Sequence, residues 1–328
     1  MRGNRFAIAL LASVLGTAGA VRAQPTCDEV LSELGFSAAE KKRVLDGDLV
    51  TNKVGAVSER DLAVAVAFLI KAPPDQLSDQ VLRGTRVEDD PQVRAYGMLS
   101  EPATLSDFSD LRITDDEARR FVTAEAGESV NRSPEEHALF KTMRNEATPA
   151  IQREIQRMLL ARYEAYRASG LSGIAPYART HGTTEVAQDL TRAVEAMVAL
   201  KKHLPQLHAL LLEGPNASAT GIRQSYAWMR SIIRDKPTYA LVHFLVARDG
   251  DARAVVRREY YVSTGYNAEM SVAGLLPVDG GTMVLYVSHA FSDQVAGSAG
   301  AMKRSIGSRI MADQIRDMFD KARKQYGK

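Results

Sequence analysis

Cys27 is the single cysteine in 328 residues. Without a second thiol there is no internal disulfide, so the fold must be held by an ordinary apolar core or by a partner. Basic residues barely exceed acidic ones, 42 against 40, whereas a nucleic-acid binder carries a marked basic excess. That class of partner is excluded. Uninterrupted apolar runs are short, and none reaches the roughly 20 residues that a helix needs to cross a bilayer, so no membrane span is expected. Chemical motifs are scarce as well. There is no glycine-rich phosphate loop, no G-x-S-x-G elbow and no helical His-Glu-x-x-His pair. Neither a cofactor, a metal nor a catalytic residue is therefore expected on motif grounds.

At the N-terminus, "FAIALLASVLGTAGA" follows Arg2 and Arg5 and precedes Ala20-Val21-Arg22-Ala23. Charged, apolar and small-residue parts in that order make a secretory signal. The expectation is a signal over residues 1–23 and a mature chain that is secreted, in the periplasm. Gln24-Pro25-Thr26 lacks the small apolar residues that precede a lipid-anchored cysteine, so Cys27 is not read as an anchor. Loss of Arg2, Arg5 and Arg22 with the signal leaves 39 basic residues against 40 acidic. About 300 residues remain, enough for one large core or two modest ones.

Periodicity divides the rest. In residues 24–114, "CDEVLSELGFSAAEKKRVL" predicts two short helices, "LVTNKV" and "DLAVAVAFLIKAPP" two strands, and "DQLSDQVL" another short helix; the second strand must stop at Pro73-Pro74. Residues 84–114 hold turn formers and at most one or two short strands. Residues 115–213 form a helical segment, an insertion or a subdomain. It has capping-box signals at Thr114-x-x-Glu117 and Ser133-Pro134-Glu135-Glu136, and a helix from Thr148-Pro149 to Gly170. In that helix Ile151, Ile155, Met158, Leu159 and Tyr166 trace one face. From Tyr226 the period becomes two. Residues 214–328 then hold five β-like runs joined by short turn signals, which favours antiparallel neighbours. A long amphipathic helix follows, with Met302, Ile306, Ile310, Met318 and Phe319 on its apolar side. The fold class is α+β: an antiparallel meander, a C-terminal helix packed on it and a mainly helical middle.

Residues 48–82 and 224–326, taken as strand, short helix, meander and long last helix, resemble in element order the helix-grip architecture of START-like and Bet v 1-like proteins. The resemblance implies an apolar small molecule held between the curved sheet and the last helix. It carries no binding residues over, and the helical segment 115–213 is longer than such folds have. The run "REYYVSTGYNAEM" also resembles a group of secreted bacterial proteins, which implies no activity.

Site candidates come from polar or aromatic residues in strand patterns. In "ARAVVRREYYV" an unbroken strand puts Ala254, Val256, Arg258, Tyr260 and Val262 on one face, and Arg253, Val255, Arg257, Glu259 and Tyr261 on the other. Arg258 then stands on the apolar side, where a guanidinium needs a ligand anion, an internal ion pair or a bulge that turns it to water. His243 sits between apolar residues of "TYALVHFLVA" with no partner at a telling spacing. Trp228 and Tyr260 offer aromatic surface with a polar tip. Trp228, His243, Arg258 and Tyr260 are thus the candidate ligand-binding residues, against the plain alternative that they fill a core. Ser288, His289 and Asp293 in "SHAFSD" suggest a hydrolase, but neighbours on one strand point to opposite faces. His203 and His208 lack zinc spacing. Asn131-x-Ser133 and Asn216-x-Ser218 are glycosylation sequons.

The leading functional expectation is a secreted binder of a hydrophobic or amphipathic small molecule between sheet and C-terminal helix. One alternative is an envelope protein-protein interaction module that uses the helical segment and no ligand. Another is a periplasmic hydrolase.

Overall fold

The computed structural model describes residues 25–84, 90–127, 129–216, 220–297 and 299–326; the signal expected over residues 1–23 lies outside them. Two short helices, α1 (Cys27–Glu33) and α2 (Ala38–Leu45), lead to strands β1 (Val50–Asn52) and β2 (Asp61–Ile70), then to α3 (Pro74–Leu82) and β3 (Val93–Leu99). The helical segment follows as α4 (Asp115–Thr123), α5 (Pro134–Thr142), α6 (Thr148–Ser169), α7 (Val186–Ala196), α8 (Val198–His203) and α9 (Pro205–Glu213). A two-strand ribbon of β4 (Tyr177–Ala178) and β5 (Thr183–Thr184) interrupts it after α6. The meander is β6 (Ile222–Ile233), β7 (Lys236–Asp249), β8 (Ala252–Val262), β9 (Ala268–Val278) and β10 (Gly281–Phe291), and α10 (Gly300–Tyr326) closes the chain.

Local chemistry accounts for the helix starts. Thr114 and Ser133 accept from the backbone of Glu117 and Glu136 while those glutamates accept from the cap backbones, so both expected capping boxes form. Each cap contributes about 1 kcal/mol. The β6–β7 hairpin turns on Arg234 and Asp235, with φ of 48° and 62°, one step earlier than the Asp235-Lys236-Pro237 signal. Two left-handed residues give the turn whose twist suits antiparallel strands.

Eight strands form one antiparallel sheet in the order β1-β2-β10-β9-β8-β7-β6-β3. β2 therefore joins the meander beside β10, and β3, from the stretch where at most short strands were expected, extends the β6 edge. One sheet face is covered by α1 and α2 at the β2 side and by the helical segment over the rest. The other is covered by α3 and by α10. α10 packs along β2, with the Phe68 and Phe319 rings 4.8 Å apart. An antiparallel sheet with a long C-terminal helix on it is compatible with a helix-grip arrangement.

Two face assignments differ from the sequence expectation. In β8 the partner of Leu241 is Tyr261 and that of Val242 is Glu259, so Tyr260 is an extra residue. The bulge reverses the alternation beyond it: Tyr261 joins Arg258 and Tyr260 beneath the helical segment, and Val262 packs on the α10 side. On α10 only Phe319 of the expected apolar side is packed on the sheet. Met302, Ile306, Ile310 and Met318 are exposed, while Ile315, Phe319 and Ala322 are buried, with Met311 and Ala312 partly so. A side-chain Cβ at Gly307 would stand 2.7 Å from Leu62 Cδ2, so the small residue lets α10 lie flush on β2. The stripe of Met311, Ala312, Ile315, Phe319 and Ala322 meets the sheet, and Met302, Ile306 and Ile310 face outward.

Candidate functional site

Both sheet faces carry a polar group of residues, and they differ in access. On the helical-segment face, the residues Tyr226, His243, Arg258, Met270 and His289 stand side by side on five neighbouring strands. Tyr166 of α6 descends onto this row. Its hydroxyl is 2.9 Å from His243 Nδ1 and accepts from Arg258 Nη1 at 3.0 Å, and its ring stacks on Tyr260 at 3.9 Å. His243 Nε2 reaches Gln224 Oε1 at 2.8 Å, and Arg258 Nη2 donates to the Leu211 carbonyl at 2.8 Å, in the last turn of α9. A cation suits that negative helix end. Burial holds His243 far below the usual histidine range, with Arg258 and Arg167 adding to the effect, so its ring is neutral.

The structure thus brings together His243, Arg258 and Tyr260, around a residue of the helical segment. Trp228 stands apart, two strands from Arg258 on β6, and donates to the Asp107 carbonyl at 2.8 Å. Gly97 makes room for its indole, because a Cβ there would meet Trp228 Nε1 at 2.4 Å. All four are 1% exposed. They lie opposite α10, and the donors of His243 and Arg258 that find partners find them within the protein; Arg258 Nε and Tyr260 Oη have none. A hollow of about 320 Å³, lined by Val93, Arg94, Tyr96 and Asp110, lies over Trp228.

Ser288 and His289 point to opposite faces, as strand alternation requires. Ser288 donates to Glu269 on the α10 side, and His289 Nδ1 is 2.8 Å from Asp61 Oδ2 on the other. Asp293 accepts from Arg179 at 2.7 Å. The three do not assemble into a triad. His203 reaches Glu33 rather than His208, and among the described residues no three or more His, Cys, Asp or Glu side chains are grouped to hold a metal. Asn131 is buried, donating to the carbonyls of Val262 and Tyr266; Ser218 of the second sequon lies outside the described residues.

The α10-side face is apolar at the α3 end and polar at the other. One row reads Leu62, Ala290, Glu269, Glu259 and Val242 across five strands, and the next reads Val64, Ser288, Ser271, Arg257 and Phe244. Within this tile Arg257 donates to Glu259 and lies 3.6 Å from Glu269. Tyr266 donates to Glu259, and Ser288 donates to Glu269 at 3.1 Å. Tyr286 stands two residues before Ser288 on β10 and shares its face. Glu259 is buried, but Arg257, Tyr266, Glu269 and Tyr286 are half-buried. Burial pushes the Glu259 carboxyl up to about 6; Arg257 pulls it down, and Glu269 on the facing strand pushes it up again. Burial likewise raises Tyr286 to about 12.

Two facing carboxylates, a guanidinium and a phenol can exchange hydrogen bonds and a proton with a bound polar group. Motif reading passed over this tile because its chemistry is spread across β8, β9, β10 and a turn. The available signal was the pair of alternations Arg257/Glu259 and Glu269/Ser271, polar at every second residue in strands that turn back on each other. Comparison with family models, with curated proteins and with solved structures gives no match to this chain.

Proposed function

We propose that this chain is an extracytoplasmic binding protein of START-like type, which holds a small amphipathic molecule on the α10 side of the sheet. The observation that supports this reading is the polar tile. A sheet face that only packs against helices gains by being apolar throughout, and burying carboxylates there costs free energy unless they are paired. Here Glu259 and Glu269 share one guanidinium, and Glu269 and Arg257 stay within reach of solvent while Glu259 is buried behind them. With both ionised the tile carries one excess negative charge, which favours a head group rich in hydrogen-bond donors, such as an amine or a hydroxyl. The apolar part of the molecule then lies toward Tyr286, Met311 and Phe319. His243, Arg258 and Tyr260 serve the same reading as positioning residues, because they fasten the helical segment to the back of the sheet.

Native mass spectrometry of the purified protein, followed by solvent extraction, tests this reading. A stoichiometric small molecule is expected, and it is lost from Glu269→Gln and Arg257→Lys but retained by Tyr166→Phe, whose change lies on the opposite face. A bare protein mass, or equal retention in all variants, removes the α10-side site. A stable protein complex would instead favour an interaction module.

A further inference from the structure

The outer side of α10 carries an inference independent of the bound molecule. Met302, Ile306 and Ile310 recur at every fourth residue and so form one ridge. They are 68%, 55% and 50% exposed, although the same helix buries Ile315 and Phe319. At 3.6 residues per turn, Lys303 and Arg309 stand about 60° to either side of Ile306, one on each flank of the ridge. Both are exposed, and neither has an ion-pair partner among the described residues. Arg304 is used internally, donating to the Glu59 carbonyl at 3.0 Å. From Gln294 to Ala312 the sequence contains no carboxylate. The ridge then changes character: Asp313, Asp317, Asp320 and Lys324 continue the same side of the helix, with no apolar residue among them.

We propose that the first three turns of α10 dock on an anionic phospholipid surface, with Met302, Ile306 and Ile310 at the acyl boundary and Lys303 and Arg309 among the headgroups. Charge complementarity selects this occupant. A convex ridge with a cation on each flank needs negative charge on both sides at once, and a laterally uniform anionic surface provides it. The ridge also lacks the aromatic anchors that centre protein interfaces. The second half of the helix has no apolar residue on this side, where Asp313, Asp317, Asp320 and Lys324 stand instead, so apolar contact is confined to residues 300–312. Three side chains of this size give reversible binding rather than anchorage.

The test is sedimentation of the full chain with vesicles of phosphatidylcholine, with and without phosphatidylglycerol. The wild type is compared with Ile306→Ser/Ile310→Ser and with Lys303→Gln/Arg309→Gln. These chains differ only on α10, so the N-terminal apolar segment contributes equally to all. The isoleucine variant is expected to bind anionic vesicles about ten-fold more weakly, from the apolar area lost. The cation variant should lose about five-fold per charge, an effect that high salt removes. Thermal unfolding should be unchanged in both, because the substituted side chains are exposed. Equal binding by all three chains overturns the proposal. So does a wild-type dimer that the isoleucine variant dissociates, which would assign the ridge to a second copy of the chain.

Discussion

The two faces of one sheet have been finished in different ways. Beneath the helical segment, Tyr166, Tyr226, Tyr260 and Tyr261 are each at most 1% exposed, and buried rings and bases interlock. On the α10 side, the centre of the sheet carries Arg257, Glu259 and Glu269, and solvent still reaches part of that group. Stability is concentrated on the first face and accessible chemistry on the second. Aromatic character in β8 therefore marks the clamp, and the charged residues that alternate with it mark the candidate site.

Unequal cost of truncation is the strongest test of this contrast. Tyr166→Ala removes a fully buried ring that stacks on Tyr260 and bonds to His243 and Arg258, and is expected to cost about 3–5 kcal/mol. Tyr286→Ala, at a half-buried ring on the other face, should cost well under half as much. Urea unfolding of both variants decides, and equal losses would erase the distinction.

Opposite pH dependences sharpen it further. Glu259 has its folded value raised to about 6 from 4.5, so its contribution is fully present below 4.5 and is lost as pH rises through 6, by about 2 kcal/mol. Glu259→Gln should flatten that slope. His243 is held well below 6.5, so its contribution is present above 6.5 and is lost as pH falls. His243→Gln should blunt the acid-side loss instead. Denaturant midpoints measured from pH 4 to 8 check both signs.

The smallest expected effect concerns the seating of α10. Gly307→Val places carbon atoms against Leu62 Cδ2, a flexible group, and should cost about 1 kcal/mol through local repacking. Amide hydrogen exchange should accelerate in residues 300–315 and remain unchanged in α6. Acceleration throughout the chain would mean that α10 and the helical segment unfold as one unit.

Particular residues explain how far the sequence could be read. Thr114 with Glu117, and Ser133 with Glu136, announced their helices because a capping box is completed within four residues. The meander followed from strict alternation between short turns. The Tyr260 bulge was not legible, since it depends on how β8 meets β7, and a single extra residue exchanges faces for everything beyond it. The outward turn of Met302, Ile306 and Ile310 was hidden for a related reason. Periodicity marks α10 as amphipathic but does not decide which of its apolar residues can approach β2 closely.

By itself, the sequence determined most of the elements, the antiparallel pairing of the meander and the α+β class, because hydrogen bonding, caps and turns act over a few residues. Only the tertiary structure decided which face each polar residue serves. Glu259 and Glu269 come opposite each other through strand register, and Tyr166 reaches His243 across 77 positions of chain. Those juxtapositions are set by packing between whole layers, which no local pattern encodes.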